Sequence, residues 1–577
     1  MRIDRLRLSK YRNLVNFEVN FHQQSSRQVI VGRNGVGKSN LLEAIVRIFR
    51  DLDLEEISAF EYQIEYFCRG HAVRITNAWR ASSENGGSGT FFRTYEVADC
   101  KQVELVSETN YRSLEQSDFY RRNRRIGLQS SPTRLLPNYV FGYYSGDISR
   151  FEGIFERHEE KYYADQVHGE EAPLRTLFLA RPHHSQFAFL SFLAVDDEKA
   201  KSFLKDELRI EGLDAVLFAL REPYWAKARK GKSASKGDRR FWGAAGKVEP
   251  FLDRLFQNSF VPMAFTERIK ISVGQTETKE RRFCYLPDSE AVVRLAEGLS
   301  NKEFFARLES LVFSSVVSGD GSDVRIWLRL RNVDESATFN DLAEGERQLL
   351  TVLGLLRFTA DDEALFILDE PDTHLNPAWC LRYLEHLRQY GADLSTSQII
   401  MTTHSPMTFA GLDRNEVVVM KRNDATLSEA SDKWESGFAE AKDAPIYRPC
   451  IIAEHPASSP KGMGFGAILT SDIFGMRSTL DAETLHNVER LRFLAVQPQR
   501  NVAEETELAK LNAALTPLGF SREMRDPLFK EFVHEMSISR KESPGLWGAV
   551  LTEDQRLRRS QLVASVVRRL RERQEEE

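Results

Sequence analysis

The sequence predicts an α/β fold, on three observations. The stretch "GRNGVGKS" from Gly32 to Ser39 is a glycine-rich turn between an apolar run and an amphipathic one. A second apolar run, "ALFIL", ends in the acids Asp369 and Glu370, and a third, "QIIMT", leads into His404. Each reads as a buried strand that delivers polar residues to one sheet edge.

The elements follow in order. "RIDRLRLSKYRNLVNFEVNF" alternates apolar and polar residues, as two half-buried strands would. "RQVIVG" is a short buried strand and "SNLLEAIVRIF" a helix with apolar residues three and four apart. "HAVRITNAW" and "PNYVFGYY" complete a first α/β lobe over residues 1–150. Residues 151–320 read as a mainly helical insertion, through "HSQFAFLSFLAV" and "EPFLDRLFQNSF". A second α/β lobe spans 321–425, and 426–577 forms a mixed, α-rich tail suited to partner binding.

With 577 residues the chain exceeds what one hydrophobic core supports. Its 42% hydrophobic and 28% charged content is that of a globular protein. No apolar run approaches the about 18 residues of a membrane span, and "MRIDRLRLSKYRN" is too charged for a secretory signal, so a cytoplasmic location is expected. Cys68, Cys100, Cys284, Cys380 and Cys450 lie far apart, without a C-x-x-C pair, so neither a zinc knuckle nor a disulfide framework is indicated. A net charge of -6 excludes wholesale coating of nucleic acid and leaves local basic patches.

Gly32 to Ser39 fits G-x-x-x-x-G-K-[ST] in the strand–turn–helix context that a phosphate loop requires. Its glycines turn backbone N–H groups toward phosphate, Lys38 reaches the β/γ oxygens, and Ser39 ligates Mg²⁺. Asp369 then suits metal support, Glu370 activation of water, and His404 sensing of a γ-phosphate. In "FNDLAEGERQLLTVLGLL", Asp341 and Glu344 stand at capping-box spacing, which places a helix start with free N–H groups near Gly345.

These pieces resemble a known family. The phosphate loop, "LAEGE", "DEP", "THLNP" and "TTHSP" occur in the order of ABC-type ATPases, and "YRNL" with "DEPDTHLNP" resembles the RecF/SMC/OLD branch over residues 1–60 and 325–420. The resemblance implies an ABC-type head of two lobes that binds ATP and Mg²⁺. It implies that Gly32, Arg33, Asn34, Gly35, Val36, Gly37, Lys38, Ser39 and Asn40 cradle the phosphates, with Arg12 touching nucleotide. Ser39 and Asp369 would hold the metal, and Glu370 and His404 would serve catalysis. Ala343, Gly345 and Glu346 of the signature would face the ATP of a second subunit, which implies a homodimer or higher homo-oligomer. Two departures point to slow hydrolysis: Ala343 replaces the signature serine and Asn376 the D-loop aspartate. Gln129 is the candidate Q-loop glutamine.

"YWAKARKGKSASKGDRRFW" sets Lys227, Arg229, Lys230, Lys232, Lys236, Arg239 and Arg240 between aromatic residues, a pattern equally suited to DNA or structured RNA and to a solvated loop. "YRRNRR", from Tyr120 to Arg125, is a second basic candidate. Residues 420–577 lack the D-x-D of a TOPRIM nuclease, and His455, His486 and His534 stand apart, so no intrinsic nuclease is expected. "GFGAILTSDIFGMRSTLD" and "LPNYVFGYYSG" resemble anti-phage ATPases such as PtuA of Septu and retron-associated relatives. That resemblance implies a separate nuclease or effector subunit, of HNH type for example. The alternatives are a RecF/SMC-like factor of DNA repair or chromosome maintenance, and a nucleotide-gated scaffold with little hydrolysis.

Overall fold

The computed structural model describes residues 1–23, 25–80, 90–99, 110–123, 125–126, 129–130, 134–168, 175–195, 197–223, 226, 238–244, 248–272, 275–332, 337–359, 363–391, 394–422, 451–497, 499–520, 527–547 and 553–576. It divides into two compact units, one holding Met1–Phe409, Asn415–Met420 and Ser436–His455, the other centred on Pro456–Glu577.

The first unit is built on a seven-stranded sheet in the order Leu177–Leu179, Tyr139–Tyr144, Ala364–Asp369, Gln398–Thr402, Arg27–Gly32, Val417–Arg422 and Ile451–Glu454. The first six strands pair in parallel. Ala364–Asp369 and Gln398–Thr402 are buried at every residue, as expected of parallel strands covered on both faces, and this is why their sequences are unbroken apolar runs. The register pairs Tyr144 with Asp369, Asp369 with Thr402, and Thr402 with Ile30. All four strands therefore end at one edge.

Six antiparallel strands form a second sheet, in the order Leu14–Asn20, Arg2–Tyr11, Tyr62–Cys68, His71–Arg80, Thr90–Asp99 and Arg112–Leu114. The expected first hairpin is present, with Leu8 opposite Phe17 and Tyr11 opposite Leu14. The helix Lys38–Asp53 buries Leu41, Leu42, Ile45, Val46, Phe49 and Leu52 in one core with residues of both sheets. That core fixes the start of the helix directly after the glycine turn.

Residues 151–320 depart from the mainly helical expectation. The helices His183–Ala194 and Val248–Asn258 lie where "HSQFAFLSFLAV" and "EPFLDRLFQNSF" place them. The segment also supplies Leu177–Leu179 and three strands, Ile210–Arg221, Met263–Ser272 and Gln275–Leu286, of a five-stranded antiparallel sheet. "DAVLFAL" within the first of these is a continuous apolar run, and periodicity cannot separate such a run from a buried helix.

Between Pro456 and Glu577 the described α-helices are Phe465–Thr470, Ala482–Val496, Val502–Leu515, Pro527–Glu542 and Glu553–Glu576. Val488, Leu491, Leu494, Leu508 and Leu515 form one small core, and Met536, Val566 and Leu570 another. Cys68, Cys284 and Cys380 are buried free thiols. Among the described residues no helix is long and apolar enough to cross a membrane.

Candidate nucleotide site

The glycine turn joins Arg27–Gly32 to Lys38–Asp53 at the common sheet edge. Gly37 has φ 94°, a conformation strained for any residue with a side chain, and a Cβ there would also displace Asn13 Oδ1, 2.6 Å away. Asn13 in turn donates to the Gly35 carbonyl at 3.1 Å and accepts from Asn40 at 2.6 Å. Arg33, Asn34 and Gly35 are exposed, while Val36 packs into the core.

Lys38 Nζ donates to the Gly32 carbonyl at 3.0 Å and lies 2.9 Å from His404 Nε2, which lies 2.7 Å from Glu370 Oε1. An ammonium only donates and a carboxylate only accepts. His404 Nε2 must therefore offer a lone pair to Lys38 or a proton to Glu370, and cannot do both. Burial pushes the Lys38 pKa down, against the pull of Glu370 and Asp369. The hydrogen bond from His404 holds Glu370 below the usual carboxylate range and outweighs its partial burial. Glu370 also sits at φ 51°, a left-handed conformation that is costly for a residue other than glycine.

Thr402 secures that geometry. Its hydroxyl accepts from the Glu370 N–H at 3.0 Å and donates to Asp369 Oδ1. Burial raises the Asp369 pKa, although the Ser39 and Thr402 hydroxyls pull it back. The second carboxylate oxygen, Oδ2, is buried without a hydrogen-bond partner among the described residues. An oxygen of this kind beside a serine hydroxyl fits a hard divalent cation such as Mg²⁺, and the backbone turn with Lys38 fits a polyphosphate.

Arg12, at φ 52°, donates to Glu43 at 2.7 Å. Glu43 is fully buried and also accepts from Tyr11, Arg47 and Arg150. Arg150 reaches Asn40 as well and lowers the Asp369 pKa through its charge. Sequence reasoning missed Glu43, Arg150 and Thr402. Thr402 stood inside the quoted "TTHSP", but no spacing rule marks Glu43 or Arg150.

The signature differs in detail from expectation. Asp341 accepts from the Thr338 N–H at 2.8 Å and from its hydroxyl at 2.7 Å, so it closes the short 3-10 turn Phe339–Asp341 and does not cap the long helix. The helix Glu344–Thr359 starts after Ala343, whose N–H donates to Glu346 at 2.8 Å. Ala343 is exposed, and Gly345 is buried against the D-loop, where an added Cβ would lie 2.6 Å from the His374 carbonyl oxygen. Asn376 accepts from the Trp379 N–H at 2.9 Å and caps Pro377–Tyr390, which gives the D-loop asparagine a structural task. Asp372 ties this loop to the switch strand, accepting from Thr403 at 2.5 Å and from Thr408.

Of the basic candidates, Lys227, Arg229, Lys230, Lys232 and Lys236 lie outside the described residues. Arg239 and Arg240 are exposed, but Arg240 pairs with Asp238 and Asp253, each at 2.6 Å, so its charge is already matched. Tyr120 of the second candidate is buried and bonded to Arg93 and Tyr95, which removes it as a stacking platform. Gln129 lies in the strand Gln129–Ser130 of a two-stranded sheet.

Comparison with known proteins bears on this arrangement. Residues 129–410 match the family described as "AAA domain, putative AbiEii toxin, Type IV TA system", and residues 1–77 match one described as "AAA domain". Both segments are thus similar to families described as AAA domains. The two matches together contain the phosphate loop, the signature, Asp369, Glu370 and His404. Septu protein PtuA of Bacillus mycoides (strain KBAB4) is 26% identical over 157 residues, which is 27% of this chain and 18% of that relative. Among solved structures, an Smc head bound to the C-terminal winged-helix domain of ScpA is 13% identical, with a TM-score of 0.27 over 74% of this chain and 96% of that one. An Smc head domain with an extended coiled coil, bound to the C-terminal domain of ScpA derived from Pyrococcus furiosus, is 13% identical with a TM-score of 0.25, over 73% of this chain and 92% of that one.

Proposed function

We propose that this ATPase domain binds ATP with Mg²⁺, closes as a dimer around it, hydrolyses it slowly, and controls a separate nuclease or other effector in a bacterial anti-phage system. The observation that carries the reading is the convergence of Lys38, Ser39, Asp369, Glu370 and His404 at one sheet edge. Lys38 and the backbone turn would hold the phosphates, while Ser39 and Asp369 would hold the metal. When bound, Mg²⁺ supplies positive charge against the phosphate oxygens. Glu370, kept ionised by His404, accepts a proton from water. His404 Nε2 either offers its lone pair to Lys38 or donates its proton to Glu370, and so couples the two groups.

The partner's signature helix supplies the other wall of each site in this reading, with Ala343 exposed at its start. The missing serine hydroxyl and the capping role of Asn376 support slow turnover, and they equally favour a nucleotide-gated scaffold. The match to PtuA, over its limited length, favours defence over chromosome maintenance.

The test is Glu370→Gln in sedimentation velocity with ATP and Mg²⁺. A trapped dimer with ATP retained is expected, against a reversible one for the parental chain. Parental hydrolysis by Glu370→Gln, or no dimer in either form, would refute the mechanism. For the biological role, the chain and its genomic neighbours should lower phage plating efficiency and should lose that effect with Lys38→Ala. DNA-damage sensitivity without phage protection would favour the maintenance alternative.

A further inference from the structure

The helical second unit holds a cavity of about 550 Å³ among Ala482–Val496, Pro527–Glu542 and Glu553–Glu576. Phe493, Phe532, Val533, Met536 and Val563 supply its apolar wall. Four arginines dominate its polar lining, Arg490, Arg492, Arg540 and Arg559, beside His486 and the single carboxylate Glu489. Arg490 is matched by Glu507 at 2.7 Å. Glu489 is shared by Arg477 and Arg540. Arg559 has no carboxylate partner among the described residues.

Three of these cations crowd one indole. Arg559, Arg477 and Arg540 lie 4.8, 5.2 and 5.9 Å from the Trp547 ring centroid. The Trp547 Nε1 is buried and has no hydrogen-bond partner among the described residues. Burial, with the like charges of Arg540 and Arg559, pushes the Arg477 pKa down to about 10. Repulsion of this kind is relieved by an anion. Guanidinium groups pair with phosphate oxygens through two parallel N–H bonds, and aromatic and aliphatic walls suit a planar ring. A space between about 300 and 1,000 Å³ is the ordinary range for such small ligands.

We propose that this cavity is a second anion site, separate from the phosphate loop, that takes a nucleoside phosphate. The ring would lie against Phe493 and Phe532, with the phosphate on Arg540 and Arg559. Free mononucleotide and the end of a single strand share this chemistry. An acidic peptide offers the charge without the planar ring, so the apolar wall argues against it.

Full-length chain is titrated at low salt with two probes that lack adenine, thymidine 5′-monophosphate and a 5′-phosphorylated oligothymidylate. Binding of the monophosphate alone assigns the site to free nucleotide, and binding of the strand alone, or far more tightly, assigns it to nucleic-acid ends. In either case Arg559→Gln should weaken binding at least about tenfold, the loss of one charge-assisted pair. Arg559→Lys should keep most of the affinity, and Lys38→Ala, which impairs the ATP site, should leave affinity for these two probes as it was. Ultraviolet cross-linking of the bound probe to the parental chain should map to peptides containing Phe493 or Phe532, a readout that needs no variant. The proposal is overturned if neither probe binds, if Arg559→Gln and Arg540→Gln leave affinity unchanged, if cross-links map elsewhere, or if an acidic peptide binds more tightly than both probes.

Discussion

Thr402→Val removes one hydroxyl and keeps the shape of a fully buried side chain, so it isolates what that hydroxyl does. Two bonds disappear, the one donated to Asp369 and the one accepted from the Glu370 N–H. A hydrogen bond to a charged group contributes about 1.5–3 kcal/mol, and an orphaned buried N–H costs about 1–3 kcal/mol. Part of this returns if Glu370 relaxes from its left-handed backbone, which costs about 1–3 kcal/mol to hold. The net stability loss should therefore be about 1.5–3 kcal/mol, while Glu370 moves off its position and turnover falls roughly a hundredfold, as misplacement by about 1 Å does. A second effect has a definite sign. Burial raises the Asp369 pKa and Thr402 lowers it, so losing the hydroxyl raises it further, and the acid limb of the ATPase pH profile moves to higher pH. Steady-state hydrolysis of Mg²⁺-ATP across pH, for Thr402→Val and Thr402→Ser, reads both effects. Thr402→Ser should restore rate and acid limb. A Thr402→Val profile that superimposes on the parental one would refute the reasoning.

Further predictions concern the acid response, the signature and the turn. His184 accepts the Arg181 N–H on Nδ1 at 2.7 Å, so its Nε2 proton goes to Glu309 and no lone pair is left for the metal that the His183, His184 and Glu309 cluster would otherwise suit. Burial, together with His183, drives the His184 pKa from 6.5 to about 3, so the fold binds fewer protons than the unfolded chain and stability falls as pH drops below 6.5. Between pH 7 and 5 the parental chain should lose about 2 kcal/mol more than His184→Gln, which keeps both bonds without titrating; equal losses in denaturant titrations at the two pH values would contradict this. Ala343→Ser restores the signature hydroxyl and also places a better residue at the helix N-cap, adding about 0.5–2 kcal/mol without nucleotide. Dimer fraction at subsaturating ATP should rise beyond what thermal stability alone explains, and an unchanged fraction would make the hydroxyl irrelevant to closure. Gly37→Ala forces a Cβ to within 2.6 Å of Asn13 Oδ1 in a left-handed turn, and should cost ATP affinity more than tenfold in a binding titration.

The sequence by itself determined the elements whose signals are local. The strand–turn–helix around Lys38, the apolar run into Asp369 and Glu370, and the run into His404 are each written in consecutive residues, because parallel strands buried on both faces admit only apolar side chains until they end. Order along the chain then sufficed to group these motifs. What only the tertiary structure decided depends on partners far apart in sequence. Thr402 holds Asp369 and Glu370 from the neighbouring strand, Glu43 gathers Arg12 and Arg150, and Gly345 is small because the His374 carbonyl presses on it. The capping role expected of Asp341 went instead to Glu346, since two carboxylates lay within reach of helix starts and only the path of the backbone chooses between them. The strands within 151–320 were hidden for a related reason. An apolar run carries no period, and whether it becomes strand or helix is settled by the sheet that receives it.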